Sequence, residues 1–440
     1  MRAAARTLSA FVGRHPWGIG AVWLAVLALA LPLAAKQTEN LTGGGFEVPG
    51  SESAAVEERM QDRYSLEAGQ NSIGAVLRAE DDAASADLAA AVERLSEAVN
   101  SVDTLGLSSE AAAGAVADLK RDGLAVVSIQ ASPDVSAQID SAVELREDLV
   151  PGEAVDGVTP FLVGQPAAWA GLQELSKEDL ESAEAAGFPI VALILVAVFG
   201  SLAAAALPLA LGFVAVIVTG AVIYLLSLSM EMSVFVTNMA SMIGIGVAVD
   251  YSLFVLARYR EEVRAGRSAD EARAAALSTS GLAVAFSGLA VIISLAGIWM
   301  VDNQALRSMA LGAMVVVAVA IVAAVVLLPT LITLLGHRVE AGGIAWRGAR
   351  FFRRNTVERR RRRGSTAPGG DSVFWQRWTE RVMRRPALSI ALSAGFLLIL
   401  AIPVLSMKTG TGALSQFPDD HDVAVGVNLL AEASGGGADP

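Results

Sequence analysis

Along the chain, long apolar runs alternate with polar stretches, and the apolar runs have membrane-crossing lengths. They lie at about 17–35, 188–229, 236–257, 279–300, 309–335 and 387–406. A helix needs roughly 20 apolar residues to cross ~30 Å of hydrocarbon. The second run is about twice that length and holds Gly200, Ser201 and Pro208 near its middle. It divides into two helices, so seven crossings are predicted.

Between the first and second crossings the periodicity changes. Ile73–Ala79, Leu124–Ala131 and Val158–Val163 read as strands, with 101–107 a weaker one. Helical patterns run over about 84–99 and 135–149, the latter placing Ile139, Val143, Leu145 and Leu149 among charges. In chain order this is a split β-α-β-β-α-β arrangement. The predicted fold class is therefore an α-helical integral membrane protein with an inserted extracytoplasmic α+β domain of ferredoxin-like type. Flanking helices at about 51–64 and 168–187 join the domain to the membrane, the second running straight into Phe188 and Pro189. The expected divisions are 1–35 (N-terminus and first crossing), 36–187 (inserted domain), 188–336 (five-helix bundle), 337–386 (Arg-rich linker), 387–406 (seventh crossing) and 407–440 (start of a second outward segment).

Charge separates these parts. The chain is 54% hydrophobic with a net charge of −12, too apolar for an ordinary soluble protein of this length. Residues 36–187 hold 9 Lys/Arg against 29 Asp/Glu, a balance of −20, and the remainder therefore carries +8. Basic residues cluster in the N-terminal stretch (Arg2, Arg6, Arg14), in 258–277 and in 337–386, whereas 230–235 has none and 301–308 only Arg307. By the positive-inside rule the N-terminus is cytoplasmic and the acidic block 36–187 faces outward. A cleaved signal peptide is the rival reading of 1–35, but its apolar run of about 19 residues exceeds the usual 7–15.

One carboxylate stands out. Across the apolar runs Asp250 is the single charged residue, followed by Tyr251. A charge at mid-bilayer costs about 2.5–3.5 kcal/mol on insertion scales, which marks it as functional. Desolvation is expected to raise its pKa toward working pH, so that it can gain and lose a proton, with Tyr251 and Ser287 as local polar partners. Met239, Ile243, Gly246, Phe254 and Ala257 share its helical face, and Gly244 and Gly246 are expected to admit a neighbouring helix. The bland alternative is a permanently neutral or paired Asp that locks helices together, although no intramembrane cation is present to pair with it. Arg258, Arg260, Glu261 and Glu262 read as solvated anchors at a helix end.

Other chemistries find no support. There is no cysteine, and His15, His337 and His421 lie outside the apolar runs without metal-ligand spacing. No Gly-Lys dipeptide exists to form a nucleotide-binding loop. Gly43–Gly45 reads as a flexible linker. Neither a catalytic triad nor a cofactor fingerprint is visible, so no enzyme, cofactor, metal or nucleic-acid partner is expected.

The chain also echoes itself. Arg14, His15 and Pro16 open the first crossing, which is followed by Lys36 and Phe46; Arg384, Arg385 and Pro386 open the seventh, followed by Lys408 and Phe417. A second copy of the unit is expected to begin there.

Three segments carry a family resemblance: GIGVAVDYSLFVLARYREE at 244–262, Phe-Gly-Ser and Leu-Pro-Leu around 199–209, and FWQRWTERVMRRP before the seventh crossing. The chain resembles the MmpL branch of the resistance-nodulation-division superfamily over essentially its whole length. The resemblance implies two pseudo-repeats, each with an outward porter domain, in the bacterial inner membrane, and proton-driven export of a lipid or other hydrophobic envelope compound. It places Asp250 and Tyr251 in a proton-relay quartet and Ser287 in the same polar lining. The remaining relay pair belongs to a second-half repeat, so a longer protein or a second chain is the expected partner. The alternative is an accessory or sensory membrane protein that binds lipid or a partner without transport.

Energetics constrain the mechanism. Exposing a 16-carbon acyl chain to water costs about 13 kcal/mol, at ~0.8 per methylene. One proton moving inward yields about 2.3 kcal/mol per 100 mV plus roughly 1.4 per pH unit. Protons therefore bias conformations while an apolar path shields the lipid.

Overall fold

The computed structural model describes residues 2–38, 40–43, 51–52, 55–56, 59, 73–80, 85–132, 135–199, 201–336, 370–406 and 417–433. Among the described residues, seven helices are long and apolar enough to cross a membrane. The helix expected over 51–64 and the Arg359–Arg363 run lie largely or wholly outside the described residues.

In the bundle, α1 (Arg2–Arg14) and α2 (Pro16–Ala35) are separated at His15, with Pro16 opening the second helix. The long apolar run divides as expected. Helix α6 (Gln165–Phe199) ends before Ser201, whose hydroxyl accepts from Ala204 N and caps α7 (Leu202–Ser227). Next come α8 (Phe235–Arg264), α9 (Ala269–Ala276) continuing through a π-helical turn into α10 (Leu282–Ala296), and α11 (Gln304–Val322) continuing through another into α12 (Leu328–Leu335). Small residues line the shared core, among them Ala204, Ala215, Ala248, Ala320 and Ala324, and let backbones approach closely.

The inserted domain holds β2 (Ile73–Ala79), α3 (Ser85–Ser101), β3 (Leu105–Gly106), α4 (Ser109–Asp122), β4 (Leu124–Ala131), α5 (Val135–Leu149) and β5 (Val158–Val163). The sheet order is β3-β4-β2-β5 with every neighbour antiparallel. Three strands match their predicted bounds; the weak one shrinks to Leu105–Gly106. Helix α4 was not expected. Ser108 caps its start by accepting from Ala111 N, and Gly123 ends it at φ 69°, a left-handed conformation suited to glycine.

One sheet face packs on α3, α4 and α5 through Leu95, Leu119, Leu145, Val127, Ile129 and Leu162. The other face receives α15 (Asp422–Ala433), with Val427 against Val76, Phe161 and Val163. A Cβ on Gly426 would lie 2.9 Å from that of Phe161, so only glycine lets α15 sit this close to β5. Arg146 on α5 ties the layers together, reaching Asp422 at 2.8 Å and Glu174 at 2.8 Å. The expected division 36–187 does not contain α15.

Sheet domain and bundle are stitched by a short parallel pair, β1 (Leu41–Thr42) with β6 (Met232–Ser233). Gly43 N donates to Asp140 Oδ1 on α5. Residues 370–406 belong to a separate body. It contains α13 (Gly370–Arg384) and the apolar α14 (Pro386–Ala401), which meet at Arg385–Pro386 as α1 and α2 do at His15–Pro16.

Candidate functional site

The site is built on α8. Its sequence is rich in β-branched residues, weak helix formers in water. In an apolar setting each backbone polar group must bond within its own segment, and the helix is enforced.

The two faces of α8 differ. Inward, Gly244, Ala248, Ser252, Val255, Leu256 and Tyr259 are buried. A Cβ on Gly244 would collide with Val316 of α11 and lie 3.4 Å from Val216 of α7, so this glycine permits close packing. Outward, Met242, Gly246, Asp250, Phe254 and Ala257 are exposed. Gly246 has nothing within 4 Å of a Cβ position. The expectation of close approach is met at Gly244 and not at Gly246, which shares the open face with Asp250.

Tyr251 points the other way from its neighbour. It is 8% exposed, within the bundle core. A Cβ added to Gly288 of α10 would lie 3.2 Å from the Tyr251 hydroxyl and 2.6 Å from Ile321 Cγ1 of α11, so three helices converge on that hydroxyl. Ser287 precedes Gly288 and is exposed. No hydrogen bond links Asp250, Tyr251 and Ser287 among the described residues.

The arrangement fixes what can happen there. The Asp250 carboxylate is open to whatever lies against the outer face of α8, so its desolvation depends on that cover, lipid or protein. The adjacent hydroxyl is walled in by Gly288 and Ile321.

Several polar residues that sequence reasoning set aside or missed are internal. Arg260 is 8% exposed and Glu262 5% exposed, so neither is a solvated anchor. Arg260 Nη1 donates to Phe199 O at 2.8 Å, and its guanidinium lies 5.5 Å above the Phe199 ring. It satisfies a carbonyl left open where α6 ends. A signal was available: Ser252, Leu256 and Arg260 recur every four residues on the buried face. Glu262 accepts from Arg258 and Arg267. Arg273, 5% exposed on α9, donates to Ser9 of α1, Thr333 of α12 and Asp270. Near the sheet-domain end, the Ser241 hydroxyl of α8 donates to Glu184 Oε1 of α6.

Comparison with known sequences supplies a context. The sequence model of the MMPL family matches residues 46–389. The chain is 40% identical to the mycolic acid-containing lipids exporter MmpL11 of Mycolicibacterium smegmatis, over 98% of the chain and 44% of that protein. It is 38% identical to the heme uptake protein MmpL11 of Mycobacterium tuberculosis, over 98% of the chain and 43% of the relative. To the trehalose monomycolate exporter MmpL3 of the same organism it is 28% identical, over 62% of the chain and 30% of the relative. It thus spans less than half the length of these relatives. With most of its length matched by the family's pattern and seven helices of membrane-crossing length, the chain is a multi-pass membrane protein that belongs to the MMPL family.

Proposed function

We propose that the chain is the first half of a proton-driven exporter of a lipid or other hydrophobic envelope compound, with Asp250 as the group that loads and unloads the proton. The observation that carries this reading is a lone carboxylate in the middle of a membrane-length helix, turned to an open face and followed by a buried hydroxyl. Such a charge is costly unless a partner or a proton neutralises it. No cation on this chain's apolar segments fills that role, so a proton does, in alternation. The second repeat lies against the open face and supplies the missing relay pair. Ser287, exposed beside Gly288, belongs to the polar lining between the halves.

The sheet domain is the porter domain. Its four-stranded antiparallel sheet, with the last strand beside the first and the third beside the second, supports the ferredoxin-like reading. In this arrangement the N-terminus is cytoplasmic, 36–187 is extracytoplasmic, and the protein resides in the bacterial inner membrane. The exporter names of two relatives support a lipid cargo.

The test is Asp250→Asn in the complete transporter, reconstituted in vesicles with an imposed pH gradient. Lipid transfer is expected to fall at least 100-fold while folding, judged by monodispersity and melting, is unchanged. Retained transfer would remove Asp250 from the mechanism. Binding of lipid by the sheet domain that ignores both the gradient and the substitution, without transfer by the unsubstituted protein, would favour the accessory reading.

A further inference from the structure

We infer that Glu184, Ser241 and Arg260 are positioning residues that pin α8 to α6, so that a change at Asp250 is delivered to the sheet domain through α6. The inference rests on the proton-relay reading above.

Helix α6 is a single 35-residue element, about 52 Å long at ~1.5 Å per residue. Its first turns belong to the sheet domain, where Ala167 and Ala170 are part of the core. Its last turn belongs to the bundle, where Leu195 and Phe199 are part of the core. Displacement of its bundle end is therefore carried into the sheet domain.

Between α6 and α8 the described polar contacts are at the two ends. At one, Ser241 donates to Glu184. At the other, Arg260 donates to Phe199 O and covers the Phe199 ring. Ser241 lies nine residues before Asp250 and Arg260 ten after it, about 14 and 15 Å along the axis. The pins thus bracket the carboxylate almost symmetrically.

Their polar character matters. Apolar helix contacts slide past one another with little directional penalty, whereas a hydrogen bond in an apolar setting leaves a costly orphan when it breaks. Within the bundle α6 packs mainly on α7, with Phe188 stacked on Phe213 at 5.0 Å. Without the pins α8 could shift while α6 stayed with α7.

The chain has no cysteine, so two can be introduced for spin labelling at the exposed positions Glu178 on α6 and Ala265 just beyond α8. The labelled chain is placed in phosphatidylethanolamine–phosphatidylglycerol nanodiscs and the label separation compared between Asp250 and Asp250→Asn. A change of about 2 Å is expected, the scale of helix shifts in switching proteins. The double substitution Glu184→Ala with Arg260→Met is expected to abolish that change, while Glu184→Gln with Arg260→Lys, which keeps an acceptor and a donor, preserves it. Ser241→Ala alone leaves Arg260 in place and is expected to halve the change, which decides the matter should the double variant not fold. A change that survives loss of the pins overturns the inference and leaves the relay reading intact. A separation that does not respond to Asp250→Asn even with both pins present overturns the inference, and lipid transfer by the complete Asp250→Asn transporter then decides the relay reading.

Discussion

Replacing Gly288 by alanine puts a methyl group into the tightest point around the Tyr251 hydroxyl. The added carbon would collide with Ile321 Cδ1, lie 2.6 Å from Ile321 Cγ1 and stand 3.2 Å from the hydroxyl. Ordinary carbon contacts lie near 3.5–4.0 Å, so the end of Ile321 must retreat by roughly 1 Å or α10 must draw away from α11. Overpacking of this kind costs about 1–3 kcal/mol. Gly246→Ala is the matched control, since nothing lies within 4 Å of its Cβ position. There the gain in helix propensity is up to about 1 kcal/mol. Thermal unfolding of the chain in nanodiscs, followed by tryptophan fluorescence, measures both. Gly288→Ala is expected to melt several degrees lower and Gly246→Ala at or above the parent. A Gly288→Ala protein that melts with the parent, or a Gly246→Ala protein damaged equally, would refute the packing argument for this site.

Asp422→Ala leaves the Arg146 guanidinium, 7% exposed, with Glu174 as its remaining partner. Loss of one member of a buried pair costs several kcal/mol, reduced here to about 2–3 because Glu174 stays; amide exchange over α15 should accelerate by about 30- to 150-fold. Burial lowers the Arg146 pKa, but hydrogen bonds and attraction from Asp422 and then Glu174 outweigh it, and the net shift is upward from the usual arginine value. A raised cationic pKa gives stability that is complete below the unfolded value and lost above the folded one, so the arginine's own titration should leave α15 docking unchanged from pH 6 to 10, measured by the same exchange. Arg273→Met removes the hydrogen bonds to Ser9 and Thr333, and tryptic cleavage at Arg6 and Arg14 should quicken by at least 10-fold. Ser108→Ala should cost about 1 kcal/mol through loss of the cap on α4, read as a lower denaturation midpoint of the sheet domain.

Much of this architecture was legible in the sequence because its signals are local. Strand alternation located Ile73–Ala79, Leu124–Ala131 and Val158–Val163, and hydropathy located the membrane-length helices. Helix α4 escaped because its Ala-rich stretch has little apolar contrast, although Ser108 and Gly123 mark both of its ends. The docking of α15 was illegible for a different reason: it joins residues far apart in the chain, and an apolar face does not name its partner. At the candidate site, the sequence singled out Asp250 but not the side of the bundle it occupies. A charge in an apolar run signals function without giving direction. Arg260 was misjudged on residue type, since arginine near a helix end is usually solvated, and Arg273 was not singled out; here both satisfy backbone or hydroxyl oxygens inside the fold.

The seating of Asp422–Ala433 on the back of the sheet has a practical corollary for work with the water-soluble lobe. No continuous stretch of the chain encodes it. A fragment cut at 187 would bare Val76, Phe161 and Val163 to water and should self-associate, whereas splicing 417–433 onto the end would restore its missing wall.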